Sequence, residues 1–201
     1  MSESFWVQLF LLVPVVLLAL SVHEASHAAA AVALGDPTPK LEGRLTLNPL
    51  RHLDPIGFIL VLFARVGWAK PVPVNPYNFR HPSRDLALTA LAGPLSNVAL
   101  AVLSGLLYRL APPMPYLHTL LYLSVFINLA LALFNLIPLP PLDGFSVLAH
   151  FFPSLRFSPL ARWGPYILIG LIVLGFFLPV DPLGLCLWPL VRLGTLLLIG
   201  G

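Results

Sequence analysis

Charged residues are scarce in this sequence: Asp, Glu, Lys and Arg make up only 9% of its 201 residues, while 58% are hydrophobic. A soluble domain carries about 25% charged residues, so this composition excludes that class and predicts an integral membrane protein surrounded by a lipid bilayer. The net charge of +3 does not indicate nucleic-acid binding, because the basic residues are scattered between apolar segments. A single cysteine, Cys186, excludes an internal disulfide and any CxxC metal site.

Long apolar runs predict the membrane segments. The runs cover residues 5–34, 56–68, 86–110, 117–137, 165–179 and 183–200. A membrane-spanning helix needs about 20 residues, so five of the runs predict transmembrane helices, and the short, arginine-containing run 56–68 predicts a re-entrant segment. We therefore expect one all-α integral-membrane domain over residues 1–201, with about five transmembrane helices.

The distribution of basic residues predicts the orientation. Between residues 35 and 85 lie Lys40, Arg44, Arg51, Arg65, Lys70, Arg80 and Arg84. Because basic residues concentrate on the cytoplasmic side, we expect this region inside and the N-terminus outside. A spanning segment at 56–68 would divide these residues between both sides and erase the bias. The stretches 41–47 and 70–74 have patterns typical of extended chain, which predicts a small β-element on the cytoplasmic side.

Two histidines and a glutamate interrupt the first apolar run, in the stretch VHEASHA at residues 22–28. In a helix, His23 and His27 lie one turn apart on nearly the same face, so both imidazoles can reach one metal ion, with Glu24 beside the open coordination position. This HExxH arrangement is typical of zinc proteases, in which the carboxylate takes a proton from a water molecule that zinc activates. The alternative is that these polar groups line a helix contact or a proton path.

A third ligand is expected elsewhere at the same depth, because catalytic zinc commonly has three protein ligands and one open position. The candidate is Asp143, in the stretch FNLIPLPPLDG at residues 134–144. The prolines of that stretch cannot continue a regular helix, so the backbone must unwind where run 117–137 reaches the cytoplasmic side. His23 lies deep in a helix that enters from outside, which brings it toward that same side. The alternative role for Asp143 is to cap the short helix that follows it.

Asn135 precedes this aspartate near the end of the same run. Two interpretations are open for it from the residues alone. Its amide is either a hydrogen-bonding group between helices or a donor aimed at the oxyanion that develops during peptide hydrolysis.

Several blocks of this sequence together resemble the site-2 protease family of intramembrane zinc metalloproteases. They are HEASHA (23–28), LNPLRHLDPIG (47–57), WAKPVPVNP (68–76), AGPLSN (92–97) and FNLIPLPPLDG (134–144). The resemblance implies that His23, His27 and Asp143 bind one zinc ion, that Glu24 activates water, and that Asn135 lies near the substrate carbonyl. It also implies a transmembrane protein as substrate. The basic residues and the depth of His23 and Asp143 predict an active site toward the cytoplasmic side.

The resemblance divides the chain into a catalytic core over about 5–144 and C-terminal transmembrane helices over about 165–200. Neither a peptide-binding nor a nucleotide-sensing module is recognisable, which is typical of a compact form. Gly93, Pro94 and Asn97 are assigned a structural role in helix packing. The alternative to a protease is a membrane metal carrier or scaffold with the same fold, and a third is a structural protein whose HExxH is accidental.

Overall fold

The computed structural model describes residues 3–54, 70–178 and 181–200. Within these ranges the α-helices are α1 (Glu3–Ala33), α2 (Thr38–Leu41), α3 (Pro49–His52), α4 (Pro82–Leu110), α5 (Pro115–Asn135), α6 (Asp143–Phe151), α7 (Pro159–Phe177) and α8 (Pro182–Ile199). Five of them, α1, α4, α5, α7 and α8, are long and apolar enough to cross a membrane, which is the number of candidate spans that the sequence predicted. The predicted re-entrant segment, 56–68, lies outside the described ranges.

Helix α4 lies at the centre of the bundle and packs against α1, α5, α6 and α8. Its buried positions include the small residues Ala87, Ala90, Gly93, Ala101 and Gly105. Small residues allow helix backbones to approach closely, which matters in lipid because apolar burial gives no net drive for helix association there. A Cβ atom on Gly105 would lie 2.9 Å from the side chain of Leu198, so α4 and α8 pack in close contact at this point.

The proline-rich stretch between α5 and α6 is not helical, as its composition predicted. Helix α5 ends at Asn135 and α6 begins at Asp143. Proline lacks the N–H group that a helix needs, so the chain turns here instead of continuing α5. Gly144 allows α6 to fold back on this turn, because a Cβ atom on it would lie only 2.2 Å from the carbonyl oxygen of Leu136.

The predicted β-element is wrong: residues 41–47 and 70–74, all within the described ranges, contain no strand. The first stretch starts as the end of α2 and continues into turns, with Gly43 in the left-handed region at φ +65°. The second stretch has no regular secondary structure, and its prolines lack N–H donors for strand pairing. The guanidinium of Arg44 donates a hydrogen bond of 3.2 Å to the carbonyl oxygen of Pro71, so a side chain satisfies this backbone in place of a neighbouring strand.

Asp36 fastens the segment before α4 to the end of α1. Its buried carboxylate accepts hydrogen bonds of 2.6–3.1 Å from the backbone and hydroxyl of Thr38, the backbone of Asn75 and the side chain of Asn78. Burial acts to raise the pKa of the Asp36 carboxyl, but these hydrogen bonds hold it below its ordinary value of 3.8. The ionised carboxylate therefore joins segments that are 39 residues apart.

The last two helices connect opposite ends of the bundle. Near its start, α7 approaches the proline turn, because a Cβ atom on Gly164 would lie 2.5 Å from Pro140. Near the end of α8, the carbonyl oxygen of Leu198 accepts a hydrogen bond of 2.7 Å from the Nε atom of Arg109, in the last turn of α4. Helix α8 therefore ends beside the last turn of α4, far from the proline turn where α7 starts.

Candidate metal centre

Helix α1 presents two imidazoles side by side. His23 and His27 are four residues apart, so they occupy neighbouring positions on one helix face. Their Nε2 atoms lie 3.0 Å apart, and their rings meet edge to face at a centroid distance of 4.6 Å. Both side chains are buried, with residue exposures of 4% and 9%.

Asp143 joins the two histidines from the start of α6. Its Oδ2 atom lies 3.3 Å from Nε2 of His23 and 3.3 Å from Nε2 of His27. This oxygen is buried and has no hydrogen-bond partner among the residues that the structure describes. The proline turn is what carries the aspartate to this position, because it reverses the chain at the end of α5. The structure thus brings together the three residues that the sequence selected as metal ligands.

Asp143 does not cap the helix that follows it, which was the alternative role predicted from the sequence. Helix α6 begins at Asp143 itself, the residue at its N-cap position is Leu142, and no side-chain cap hydrogen bond is formed there. A metal ligand at this position must be an ionised carboxylate, which is the ordinary form of an aspartate at neutral pH.

Hydrogen bonds to the far side of each ring determine where its proton lies. His27 Nδ1 is 2.7 Å from the carbonyl oxygen of Thr89, which can only accept, so Nδ1 carries the hydrogen. His23 Nδ1 is 2.6 Å from Oδ1 of Asn97. The amide nitrogen of Asn97 donates hydrogen bonds of 3.2 Å to the carbonyl oxygen of Ala19 and 2.8 Å to Oδ1 of Asn128, and together these two bonds turn the amide oxygen toward His23. In neutral rings, both Nε2 atoms therefore have free lone pairs.

These contacts test whether the cluster fits a metal ion. Two imidazole lone pairs and a carboxylate oxygen meet at separations of 3.0, 3.3 and 3.3 Å, where they repel one another unless a cation lies between them. Ligands about 2.0–2.1 Å from a tetrahedral zinc ion lie about 3.3 Å from one another. Two imidazoles and one carboxylate, with a fourth position open, form a donor set typical of catalytic zinc. The residues fit zinc in both spacing and chemistry.

The two predicted catalytic residues lie outside this three-residue cluster. Glu24 follows His23 on α1 and is 9% exposed. Asn135 is the last residue of α5, and its amide nitrogen donates a hydrogen bond of 3.0 Å to the carbonyl oxygen of Leu131 in its own helix. This bond is neither of the two contacts that the sequence left open for Asn135, so its role near the substrate carbonyl stays a prediction.

The sequence interpretation missed how closely Gly93 and Asn97 approach the cluster. A Cβ atom on Gly93 would lie 2.4 Å from Nε2 of His27, so this glycine leaves the space that the imidazoles occupy. Asn97 holds His23 directly. The general role in helix packing that the sequence gave them was therefore incomplete. A signal was present, since an asparagine inside a long apolar run costs free energy unless it bonds to a specific partner.

Comparison with known proteins identifies the family. The model of "Peptidase family M50" matches residues 111–177. The chain is 39% identical over 193 residues to the "Putative zinc metalloprotease YwhC" of Bacillus subtilis, covering 91% of this chain and 86% of that protein. The chain belongs to peptidase family M50, the site-2 protease family. The resemblance seen in the sequence blocks is thereby confirmed.

Two relatives of lower identity are longer than this chain. The "Putative zinc metalloprotease Rip2" of Mycolicibacterium smegmatis is 31% identical over 169 residues, which cover 78% of this chain and 64% of Rip2. The "Putative zinc metalloprotease MJ0611" of Methanocaldococcus jannaschii is 34% identical over 125 residues, which cover 61% of this chain and 59% of that relative. The chain thus spans less than two thirds of either protein. No solved structure matches this chain.

Proposed function

We propose that this M50 protein is an intramembrane zinc metalloprotease that hydrolyses a peptide bond within or near a transmembrane segment of a membrane-protein substrate. One observation carries the proposal: three lone-pair atoms of His23, His27 and Asp143 converge at the separations of zinc ligands. The zinc-metalloprotease names of the relatives support the same chemistry.

Each predicted residue has a role in this proposal. His23, His27 and Asp143 hold one zinc ion per chain, which when bound polarises the scissile carbonyl and lowers the pKa of a water molecule. Glu24 accepts the proton of the attacking water and delivers it to the leaving amine, because a buried carboxylate beside the ligands suits a general base. Asn135 donates to the carbonyl oxygen of the substrate as negative charge develops there.

The position of the cluster supports a substrate that lies in the membrane. His23 and His27 belong to the candidate span Phe10–Ala33, and Thr89, Gly93 and Asn97 of α4 lie against them. A peptide bond within a helix is shielded by its own hydrogen bonds, so the substrate must unwind locally before water attacks it. Seven basic residues lie between residues 35 and 85, and basic residues concentrate on the cytoplasmic side of a membrane. Their number supports an active site toward the cytoplasm and an N-terminus outside.

The decisive experiment compares zinc content with proteolysis in reconstituted vesicles that contain a model transmembrane substrate. We expect about one zinc ion per chain in the wild type and in Glu24→Gln, and none in His23→Ala. Loss of the general base should slow cleavage by about 10²–10⁴-fold. Glu42→Gln is the matched control, because Glu42 is an exposed glutamate outside the spanning helices.

The outcomes separate protease from carrier. Cleavage by the wild type and Glu42→Gln but not by Glu24→Gln supports the mechanism. Equal cleavage by wild type and Glu24→Gln contradicts the general base. A protein that binds zinc but cleaves no transmembrane substrate in any variant is a carrier or scaffold.

A further inference from the structure

A line of buried polar side chains leads away from the metal centre between α4 and α5. The amide nitrogen of Asn97 donates a hydrogen bond of 2.8 Å to Oδ1 of Asn128. The amide nitrogen of Asn128 donates one of 2.9 Å to the carbonyl oxygen of Ser124, and the hydroxyls of Ser124 and Ser104 are 2.7 Å apart. Asn97 and Asn128 are 0% and 1% exposed, so water does not compete for these bonds.

The hydrogen bonds in this line have a fixed direction. A backbone carbonyl can only accept, so the contact with Ser124 requires the NH₂ group of Asn128 on that side and its oxygen toward Asn97. That oxygen in turn requires the NH₂ group of Asn97, which leaves the oxygen of Asn97 toward His23. The orientation of Asn128 is thus transmitted through Asn97 to Nδ1 of a metal-binding imidazole.

We propose that Asn128 is a positioning residue for the metal centre: by orienting Asn97, it keeps the hydrogen of His23 on Nδ1 and the lone pair of Nε2 free for the metal. The inference rests on the proposed function only in that the metal is zinc. Without Asn128, the NH₂ group of Asn97 keeps only the longer contact of 3.2 Å with Ala19. An inverted amide would present NH₂ to His23 and favour the tautomer that carries its hydrogen on Nε2, which cannot bind a metal.

A purely structural interpretation makes a different prediction. If the line only joins α4 to α5, any interhelical bond in it should matter for stability alone. The Ser104–Ser124 bond provides the comparison, because it joins the same two helices. Ser104→Ala removes it but leaves the carbonyl of Ser124 available to Asn128, so the orientation of both amides is unchanged.

The experiment measures zinc affinity of purified protein by competition with a chromophoric chelator. Removing a group that orients a metal ligand typically costs 10–100-fold in affinity. We expect Asn128→Leu to weaken zinc binding about tenfold, Asn97→Leu to weaken it about 100-fold, and Ser104→Ala to leave it unchanged. Equal affinities in wild type and Asn128→Leu, or equal losses in Asn128→Leu and Ser104→Ala, overturn the proposal.

A second background tests the transmission through Asn97. In Asn97→Asp, both oxygens of the side chain accept hydrogen bonds, so an inverted side chain still receives the hydrogen from Nδ1. Adding Asn128→Leu should then cost little zinc affinity, whereas the same change costs about tenfold beside Asn97. Equal costs in the two backgrounds contradict the mechanism. Should the Asn97→Asp variant not fold, the Asn128→Leu measurement decides alone.

The tautomer provides a readout that stability does not affect. The measurement uses zinc-free protein with ¹⁵N-labelled histidine at alkaline pH, where no proton takes the place of the metal between the imidazoles and Asp143. The His23 signals are those lost in His23→Ala. We expect them to report hydrogen on Nδ1 in wild type and a shift toward Nε2–H in Asn128→Leu. An unchanged tautomer contradicts the inference. A wild type that binds no zinc contradicts the proposed function, while its tautomer still tests the role of Asn128.

Discussion

Gly93 lies directly against the imidazole of His27. A Cβ atom at this position would be 2.4 Å from Nε2, the atom that faces Asp143 and His23. Real Cβ atoms do not come this close to a ring, and α4 is held in place by contacts with several other helices. The glycine is therefore part of the shape of the metal centre, although it binds nothing itself.

Gly93→Ala should displace the imidazoles by a few tenths of an ångström to an ångström and weaken both zinc binding and proteolysis. Misplacement of reacting groups by about 1 Å can cost about 100-fold in rate. Zinc affinity and the cleavage rate of a transmembrane substrate measure the effect. Gly170→Ala is the matched control, because a Cβ atom on Gly170 would meet no atom of the described residues within 4 Å. Similar results for the two variants would show that the space at Gly93 is not needed.

Asp143→Asn should abolish zinc retention while leaving the shape of the side chain almost unchanged. The carboxylate supplies the only negative charge among the three converging groups. Since losing a residue that merely supports a ligand costs 10–100-fold in affinity, losing a charged ligand should cost more than about 100-fold. Asp181→Asn is the control, because Asp181 is exposed and caps α8 through the backbone of Leu183. Equal zinc content in both variants would exclude Asp143 as a ligand.

Much of the metal centre could be predicted because its geometry is local. One helical turn fixes the relation of His23 to His27, and the proline turn fixes where α6 begins. The partners on the far side of each imidazole are not local. Asn97 is 74 residues from His23, and the carbonyl of Thr89 is 62 residues from His27. These contacts depend on the register between α1 and α4, which no spacing within a single run of sequence reveals.

The β-element failed as a prediction for a related reason. Alternation over five to seven residues is a weak pattern, and it cannot reveal what satisfies the backbone. Here the guanidinium of Arg44 reaches the carbonyl of Pro71, 27 residues away. A buried arginine with several backbone acceptors was not distinguishable in the sequence from a basic residue in a solvated loop.

Stability should depend on pH through Asp36. Its folded pKa lies below the ordinary value of 3.8, so its charge stabilises the folded state above that value, and the contribution disappears as the pH falls through the folded pKa. Asp36→Asn removes the charge and cannot accept all of the hydrogen bonds that the carboxylate receives. Thermal unfolding should show Asp36→Asn less stable than wild type at pH 7.

The difference between wild type and Asp36→Asn should become smaller below about pH 4, where this carboxyl takes up a proton first in the unfolded chain and, at lower pH, in the folded protein. Glu42→Gln provides a comparison, because Glu42 is exposed and nearby in sequence. A stability difference that is constant from pH 7 to pH 3 would mean that the charge of Asp36 contributes nothing beyond the shape of its side chain.

The contact between the end of α4 and the end of α8 predicts the side of the membrane on which the end of α8 lies. Helix α7 starts near the proline turn, and α8 ends at Arg109, at the opposite end of α4. Two complete crossings by α7 and α8 would return the chain to the side where it started. The contacts instead put the end of α8 at the opposite end of the bundle from the start of α7. Together the two helices therefore take the chain across the bilayer once. Asp181, at the start of α8, lines the same cavity of about 380 Å³ as Phe134, near the end of α5.

We therefore expect the C-terminus on the same side as the loop between α4 and α5, opposite to Glu42. Single cysteines can be tested with a membrane-impermeant maleimide after Cys186→Ser removes the natural, exposed thiol. A cysteine appended to the C-terminus should be labelled from the same side as Met114→Cys, and Glu42→Cys only from the other side. Because Met114 is 55% exposed in the loop, it is accessible to the reagent. Labelling of the C-terminus together with Glu42→Cys would instead require α7 and α8 to cross the bilayer separately.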